Sequence, residues 1–137
     1  MSDRLSMIVC SGTEEKLLAA SVIAGGVAAL GSEVAVLLQF SALDAFRASR
    51  PDAGRQSPAD TLEADEPVAS ESGALSVPAW AETLRQSKAM GTLTIHACSA
   101  SMDELGLDPS DLDPVVDGVS GIASFLIQAD GGELIFI

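Results

Sequence analysis

Four short apolar runs, separated by longer segments of helical pattern, constrain the fold of this 137-residue chain more than any other feature. The runs cover residues 4–10, 33–40, 92–98 and 133–137. A near-continuous apolar run is typical of a strand that is buried on both faces, as in parallel sheets covered by helices. The alternation therefore predicts an α/β fold: a three-layer sandwich with a mostly parallel sheet of four to five strands and helices on both faces.

Helix signals lie between and beside these runs. They predict helices at residues 13–30, 43–48, 77–90, 101–105 and 118–129. Ser11 and Glu14 match the S-x-x-E capping box, in which both side chains satisfy free backbone N–H groups, and Ser101 and Glu104 match it again. The first helix is apolar nearly all round, which favours packing against a sheet on one side and a partner on another.

A single domain of residues 1–137 is expected, because the length falls within the usual size of one domain. Residues 50–76 differ from the rest in holding three prolines, six acidic residues and no aromatic residue. Such a segment buries too little apolar surface to offset the entropy cost of ordering it. We therefore predict a flexible acidic loop at about 50–76 within the domain.

The formal net charge of −13 restricts the classes of partner. This charge repels phosphate backbones and anionic lipid surfaces, so neither nucleic acid nor a membrane is an expected partner. The longest uncharged run, residues 17–32, is shorter than the about 20 residues that span a bilayer. No secretory signal pattern opens the sequence, so the predicted compartment is the cytoplasm. Hydrophobic residues make up 47% of the chain, and we expect a homo-oligomer to cover part of that surface.

The two cysteines, Cys10 and Cys98, each stand at the last residue of a predicted strand. Parallel strands end at the same edge of the sheet, where ligands and chemistry collect in such folds. A thiol beside a helix N-terminus meets the positive end of the helix dipole, which favours the reactive thiolate. Either cysteine can instead be a small apolar residue of a buried strand. Whether the pair lies within disulfide reach depends on whether their strands are neighbours, which the sequence leaves open.

Other residues near Cys98 are candidates for a supporting role. His96 lies two residues earlier on the same face of the strand and could assist proton transfer, although a hydrogen-bonded core histidine is the structural alternative. Met102 and Asp103 could line the mouth of a sulfur site, or serve as a packing side chain and a helix-start acid.

The turn formed by Ser99 and Ser101 is the predicted source of thiolate stabilisation. One histidine and two distant cysteines cannot form a conventional zinc site, so no metal is predicted. Neither a Walker A motif nor a dinucleotide-binding fingerprint is present in the sequence, and no cofactor is predicted.

The segment from Cys98 to Gly106 (CSASMDELG) resembles the Cys-x-x-Ser-Met-x-x-x-Gly segment of DsrE/DsrF-like proteins, in the subgroup labelled peroxiredoxin-like. Residues 7–12 (MIVCSG) with Lys16, and residues 117–126 (DGVSGIASFL), add supporting matches. The resemblance implies a compact α/β fold, trimers or hexamers, and sulfur-relay work. In that role Cys98 would carry sulfur as a persulfide between sulfur-donor and sulfur-acceptor proteins. The label does not imply peroxidase activity, since the Pro-x-x-x-Thr-x-x-Cys segment of true peroxiredoxins is absent.

The function expected from these features is that of a sulfur-carrier or sulfurtransferase-type protein. Cys98 would accept the sulfur, and Cys10 would resolve or relay it. Two alternatives stay open: a thiol–disulfide redox protein that uses Cys10 and Cys98 as a couple, and a non-catalytic oligomeric interaction module. Oxidation would join the two thiols in the first alternative, whereas both would react slowly in the second.

Overall fold

Five parallel strands form one sheet in the computed structural model, which describes residues 3–48 and 78–137. The strands are β1 (Arg4–Val9), β2 (Glu33–Leu38), β3 (Leu93–Cys98), β4 (Gly118–Ser120) and β5 (Glu133–Phe136). They lie in the order β4-β3-β2-β1-β5, and all neighbouring pairs are parallel. The predicted α/β fold with a parallel sheet is therefore confirmed. The predicted acidic loop at about 50–76 lies outside the described residues.

Helices connect these strands and cover the sheet. They are α1 (Glu14–Ala29), α2 (Phe40–Asp44), α3 (Ala79–Lys88), α4 (Ser99–Leu105) and α5 (Ile122–Ala129), with a 3-10 turn at Pro109–Asp111. Helix α1 begins after Thr13, whose hydroxyl accepts a hydrogen bond from the Lys16 backbone N–H at 3.3 Å. The capping box predicted at Ser11 and Glu14 is wrong, because Thr13 occupies the cap position and the Ser11 hydroxyl lies against Thr13 instead.

Most of the hydrophobic core lies on one face of the sheet. Alternate strand residues point to this face: Leu5, Met7, Val9, Val34, Val36, Leu38, Leu93, Ile95 and Ala97. Helix α1 packs against α3 there, and its small buried residues Ala20, Ala24 and Ala28 allow a close approach. A Cβ added at Gly25 would meet the Ser87 Oγ of α3 at 3.0 Å. The first helix, predicted from the sequence to be apolar nearly all round, thus packs against a helix of its own chain.

The other face of the sheet holds a much smaller core beneath α5. Its buried cluster consists of Ile8, Leu37, Cys98 and Phe125. Several large apolar side chains remain exposed around it: Ile122, Leu126 and Ile127 on α5, and Leu134 and Phe136 on β5. Exposed apolar surface of this kind is typical of an interaction site.

Rows of side chains run straight across the sheet, because β1, β2 and β3 pair without offset. The last paired row of these strands is Val9, Leu38 and Ala97. The next residues along the three chains, Cys10, Gln39 and Cys98, therefore follow as a row at the carboxyl edge. Ser120 of β4 pairs beside Cys98 and extends this row. Both cysteines thus lie at the same edge of the sheet, with a glutamine between them.

Two predicted helix ranges are wrong. Residues 118–129 do not form one helix, because Gly118–Ser120 pairs with β3 as a short strand before α5 begins. The helix predicted at residues 43–48 forms earlier, at Phe40–Asp44, directly after β2. Its start is held by Ser101, whose Oγ accepts a hydrogen bond from the Phe40 backbone N–H. In both cases contacts with distant residues override the local pattern.

Candidate functional site

Cys98 ends β3 and is the N-terminal cap of α4. The residue is 2% exposed and belongs to the small core cluster beneath α5. The helix predicted to start at Ser101 begins at Ser99 instead, directly after the cysteine. The sulfur therefore lies beside the free backbone N–H groups of the first helical turn.

The pKa of the Cys98 thiol lies below its ordinary value. Burial acts in the opposite direction, because a buried thiolate loses hydration. Hydrogen bonds together outweigh burial: they come from the Ser101 backbone, the Gln39 side chain, the Ser101 side chain and the Ala100 backbone. Hydrogen bonds donated to an anion stabilise the anion, so these groups favour the thiolate.

Ser101 connects α4 to the end of β2. Its side chain is fully buried, and its Oγ accepts a hydrogen bond from the Phe40 backbone N–H at 3.0 Å. Because the oxygen accepts this bond, the hydroxyl proton can be donated to the Cys98 sulfur. The capping box predicted at Ser101 and Glu104 is wrong, since Ser101 lies within α4 and its hydroxyl serves the neighbouring strand end.

Gln39 is a site residue that the sequence patterns do not single out. Its Nε2 lies 3.7 Å from the Cys98 Sγ. The one signal that could have identified it is a polar residue at the end of the apolar run EVAVLLQF. The next residue, Phe40, has a φ of +49°, in the left-handed region that residues other than glycine rarely adopt. Strained backbone of this kind clusters at functional sites.

Cys10 follows β1 and is partly buried. Its backbone N–H donates to the Ile137 carbonyl at 3.3 Å, and its carbonyl accepts from the Ser41 hydroxyl at 3.1 Å. The same Ser41 Oγ accepts a hydrogen bond from the Gly12 N–H at 2.8 Å. These contacts hold the backbone at Cys10, whereas those at Cys98 reach the sulfur itself.

The two cysteines stand on strands that are not neighbours, because β2 lies between β1 and β3. Adjacent strands are about 4.8 Å apart, so the Cα atoms of Cys10 and Cys98 are about 10 Å apart. Disulfides require Cα atoms within about 7 Å. A bond between these two cysteines would therefore require the backbone to move, and both are free thiols here.

The remaining predicted residues lie at different distances from the sulfur. His96 points to the same face of the sheet as Cys98, about 7 Å away along β3. Met102 is buried in the main core on the other side, and Ser99 and Asp103 are exposed on α4. Of the predicted residues, the structure therefore brings Ser101 into direct contact with Cys98.

Among residues 3–48 and 78–137, no group of three or more His, Cys, Asp or Glu side chains could hold a metal ion. No helix in this part of the chain is long and apolar enough to cross a membrane. A groove of about 450 Å³ lies at the amino end of the sheet, with Arg4, Thr92 and Phe125 in its lining, and is separate from the row of cysteines.

Fold and site together define an α/β protein with a five-stranded parallel sheet and a buried, hydrogen-bonded cysteine at its carboxyl edge. The fold is similar to that of protein MTH1491 from Methanobacterium thermoautotrophicum, titled a protein of unknown function, with a TM-score of 0.59, 18% identity and 98% of each chain covered. It is also similar to the ychN protein from E. coli, with a TM-score of 0.59, 11% identity, and 98% of this chain and 97% of that chain covered.

At these identities the likeness is one of fold alone. No protein-family model and no curated protein matches the sequence. Both structures share the α/β fold that the segment at Cys98 implied, and membership of the DsrE/DsrF-like family stays a prediction. The sulfur-relay role and the peroxiredoxin-like subgroup remain predictions.

Proposed function

We propose that this protein is a cytoplasmic sulfur carrier that accepts and relays sulfur on Cys98. The Cys98 thiolate attacks the outer sulfur of a donor persulfide, R–S–SH. The donor's S–S bond breaks, R–S⁻ leaves with the bonding electrons, and Cys98 becomes a persulfide that keeps the proton. An acceptor thiolate then attacks the outer sulfur and releases the Cys98 thiolate. Neither step needs an oxidant, a reductant or a cofactor.

The observation that carries this proposal is the set of hydrogen-bond donors around the Cys98 sulfur. The thiolate is both the attacking group in the first step and the leaving group in the second. Donors from Gln39, Ala100 and Ser101 lower the pKa of the thiol and therefore favour both roles. The likeness of residues 98–106 to the DsrE/DsrF-like segment supports the same assignment.

Access to the sulfur requires local opening, because Cys98 is 2% exposed. The described residues form a thin cover on this face, since among them Phe125 of α5 is the one helical member of the cluster around the sulfur. Small local openings of short elements cost much less than global unfolding. We propose that a donor or acceptor protein reaches Cys98 in this way, and that Cys10 has a secondary role.

A homo-oligomer, trimeric or hexameric, is part of the same proposal. Its support is the apolar surface left exposed by the fold, which includes Val22 on α1, Leu30 just after α1 and Phe136 on β5. Burial of such side chains against another copy is favourable at roughly 25 cal/mol per Å² of apolar area.

The test is to incubate the reduced protein with a sulfane-sulfur donor and to weigh the intact chain. We expect wild type and Cys10→Ser to gain the mass of one sulfur atom, and Cys98→Ser to gain none. Cys10→Ser is the matched control, because it removes the other thiol by the same substitution.

Two results would overturn the proposal: wild type that gains no sulfur, or a Cys98→Ser variant that gains as much as wild type. Loss of two hydrogens on mild oxidation, with the bond mapped between Cys10 and Cys98 of one chain, would favour the redox alternative instead.

A further inference from the structure

Gln39 occupies the middle of the row at the carboxyl edge, between the two cysteines. The pairing of β2 with β1 and β3 brings it level with Cys10 on one side and Cys98 on the other. Its amide is directed to one of them, since its Nε2 lies 3.7 Å from the Cys98 Sγ. This is within the range of a hydrogen bond to sulfur, whose atomic radius exceeds that of oxygen.

The backbone at Gln39 is fixed from two sides. Its N–H donates to the Val9 carbonyl of β1 at 2.9 Å, and its carbonyl accepts from the Ala42 N–H at 3.0 Å. The following N–H, of Phe40, donates to the buried Ser101 hydroxyl of α4. A side chain on a backbone held in this way has few directions open to it, so its contact with the sulfur is pre-organised.

The donor group of the amide is also the group that the charged form of the sulfur requires. A thiolate accepts hydrogen bonds and donates none, whereas the neutral thiol carries a proton of its own. An NH₂ group directed at sulfur therefore discriminates between the two protonation states in favour of the anion.

We propose that Gln39 is a positioning residue for Cys98, which holds the sulfur by a donated hydrogen bond and stabilises it as the attacking and leaving group. The inference rests on the proposed function for its consequence in sulfur transfer. The effect of the Gln39 donor on thiolate formation can be measured on the protein alone, without sulfur transfer.

Within the part of the chain that the structure describes, few charged groups lie near Gln39 and Cys98. On β3 the nearest titratable side chain is His96, and on α4 Asp103 and Glu104 are exposed. Across Gln39 lies Cys10, and α2 ends at Asp44. Helix α5, which covers the sulfur, carries no ionisable side chain between its first and last residues. Hydrogen bonds, rather than a neighbouring charge, thus offset the effect of burial on the pKa of the Cys98 thiol.

The test uses two substitutions of nearly unchanged length, both made in Cys10→Ser so that a single thiol is observed. Gln39→Met keeps the volume and removes the donor, and Gln39→Glu replaces the donor by an anion. Gln86→Met, the same change on the exposed surface of α3, is the matched control. Thiolate formation is followed against pH by ultraviolet absorbance without any sulfur donor, and sulfur uptake is then measured separately.

We expect the titration midpoint of Cys98 to rise in Gln39→Met and to rise further in Gln39→Glu, with no change in Gln86→Met. Loss of a hydrogen bond to a charged group should reduce the fraction of thiolate about tenfold, compared with the parent protein at any pH below the titration midpoint. An unchanged midpoint in both Gln39 variants overturns the inference, whatever the sulfur assay gives. Shifted midpoints in a protein that never gains sulfur sustain the positioning role and overturn the proposed function instead.

Discussion

The turn after β3 and the turn after β1 are similar in sequence but hold their cysteines in different ways. Each follows a buried parallel strand, and each contains small residues. At Cys98 the donors reach the sulfur, and they include the side chains of Gln39, directly after β2, and Ser101 on α4. At Cys10 the hydrogen bonds with Ser41 and Ile137 involve the backbone. Both cysteines therefore lie at a strand end. The stability of each thiolate depends on whether donors from neighbouring segments reach its sulfur.

The largest predicted effect concerns the tight backbone of the Cys10 turn. A Cβ at Gly12 would lie 2.3 Å from the Ser41 carbonyl oxygen, so Gly12→Ala forces two backbone segments apart. We expect the free energy of unfolding to fall by about 3 kcal/mol or more, because both clashing groups are backbone and cannot move aside easily, measured by urea denaturation. Gly118→Ala in β4, beside the strand of Cys98, is the control, because its Cβ would meet only the His96 ring at 3.7 Å. Equal losses in the two variants would contradict this difference between the turns.

The next effect concerns the side-chain contacts of the Cys98 turn. Ser101→Ala leaves the Phe40 N–H without its acceptor and removes a donor from the sulfur. We expect a loss of about 1–3 kcal/mol in the free energy of unfolding, and a rise in the pKa of Cys98. Ser99→Ala, on the exposed side of the same helix, should change stability by less than about 0.5 kcal/mol. A Ser101→Ala variant with the stability and thiol titration of wild type would show that the buried hydroxyl has no such role.

The smallest effect is a dependence of stability on pH. The folded pKa of Cys98 lies below that of an unfolded thiol, which is about 8.5. The thiolate therefore stabilises the fold fully above about pH 8.5, and this contribution is lost as the pH falls through the folded value. We expect the stability difference between wild type and Cys98→Ser to grow with rising pH over this interval. The growth should be weaker in a Ser101→Ala background, and a constant difference would argue against donor stabilisation of the thiolate.

The strands and the sheet type could be predicted from the sequence because buried parallel strands are nearly continuous apolar runs. β4 could not, since its three residues, Gly118–Ser120, carry no apolar pattern and gain their conformation from pairing with β3. The strand order was equally hidden, because it depends on packing between distant segments. It decides the separation of the two cysteines, which the sequence had left open.

Cys98 could be singled out from the sequence as a candidate, because a reactive residue type stands at the end of an apolar run. Gln39 lies 59 positions away in the chain, and only the pairing of β2 with β3 brings its amide to the sulfur. The capping boxes were misleading for a related reason: Ser101 fits a local motif, but its hydroxyl is used by a residue 61 positions away. Local spacing cannot represent such contacts.

The left-handed backbone of Phe40 has a consequence for how the protein tolerates change. A glycine there would remove the steric conflict, which costs roughly 1–2 kcal/mol in a residue with a side chain, and its greater freedom in the unfolded chain would offset part of that gain. The same freedom would loosen the backbone that directs Gln39 at the sulfur. We therefore expect Phe40→Gly to make the fold more stable and, at the same time, to weaken the function of Cys98.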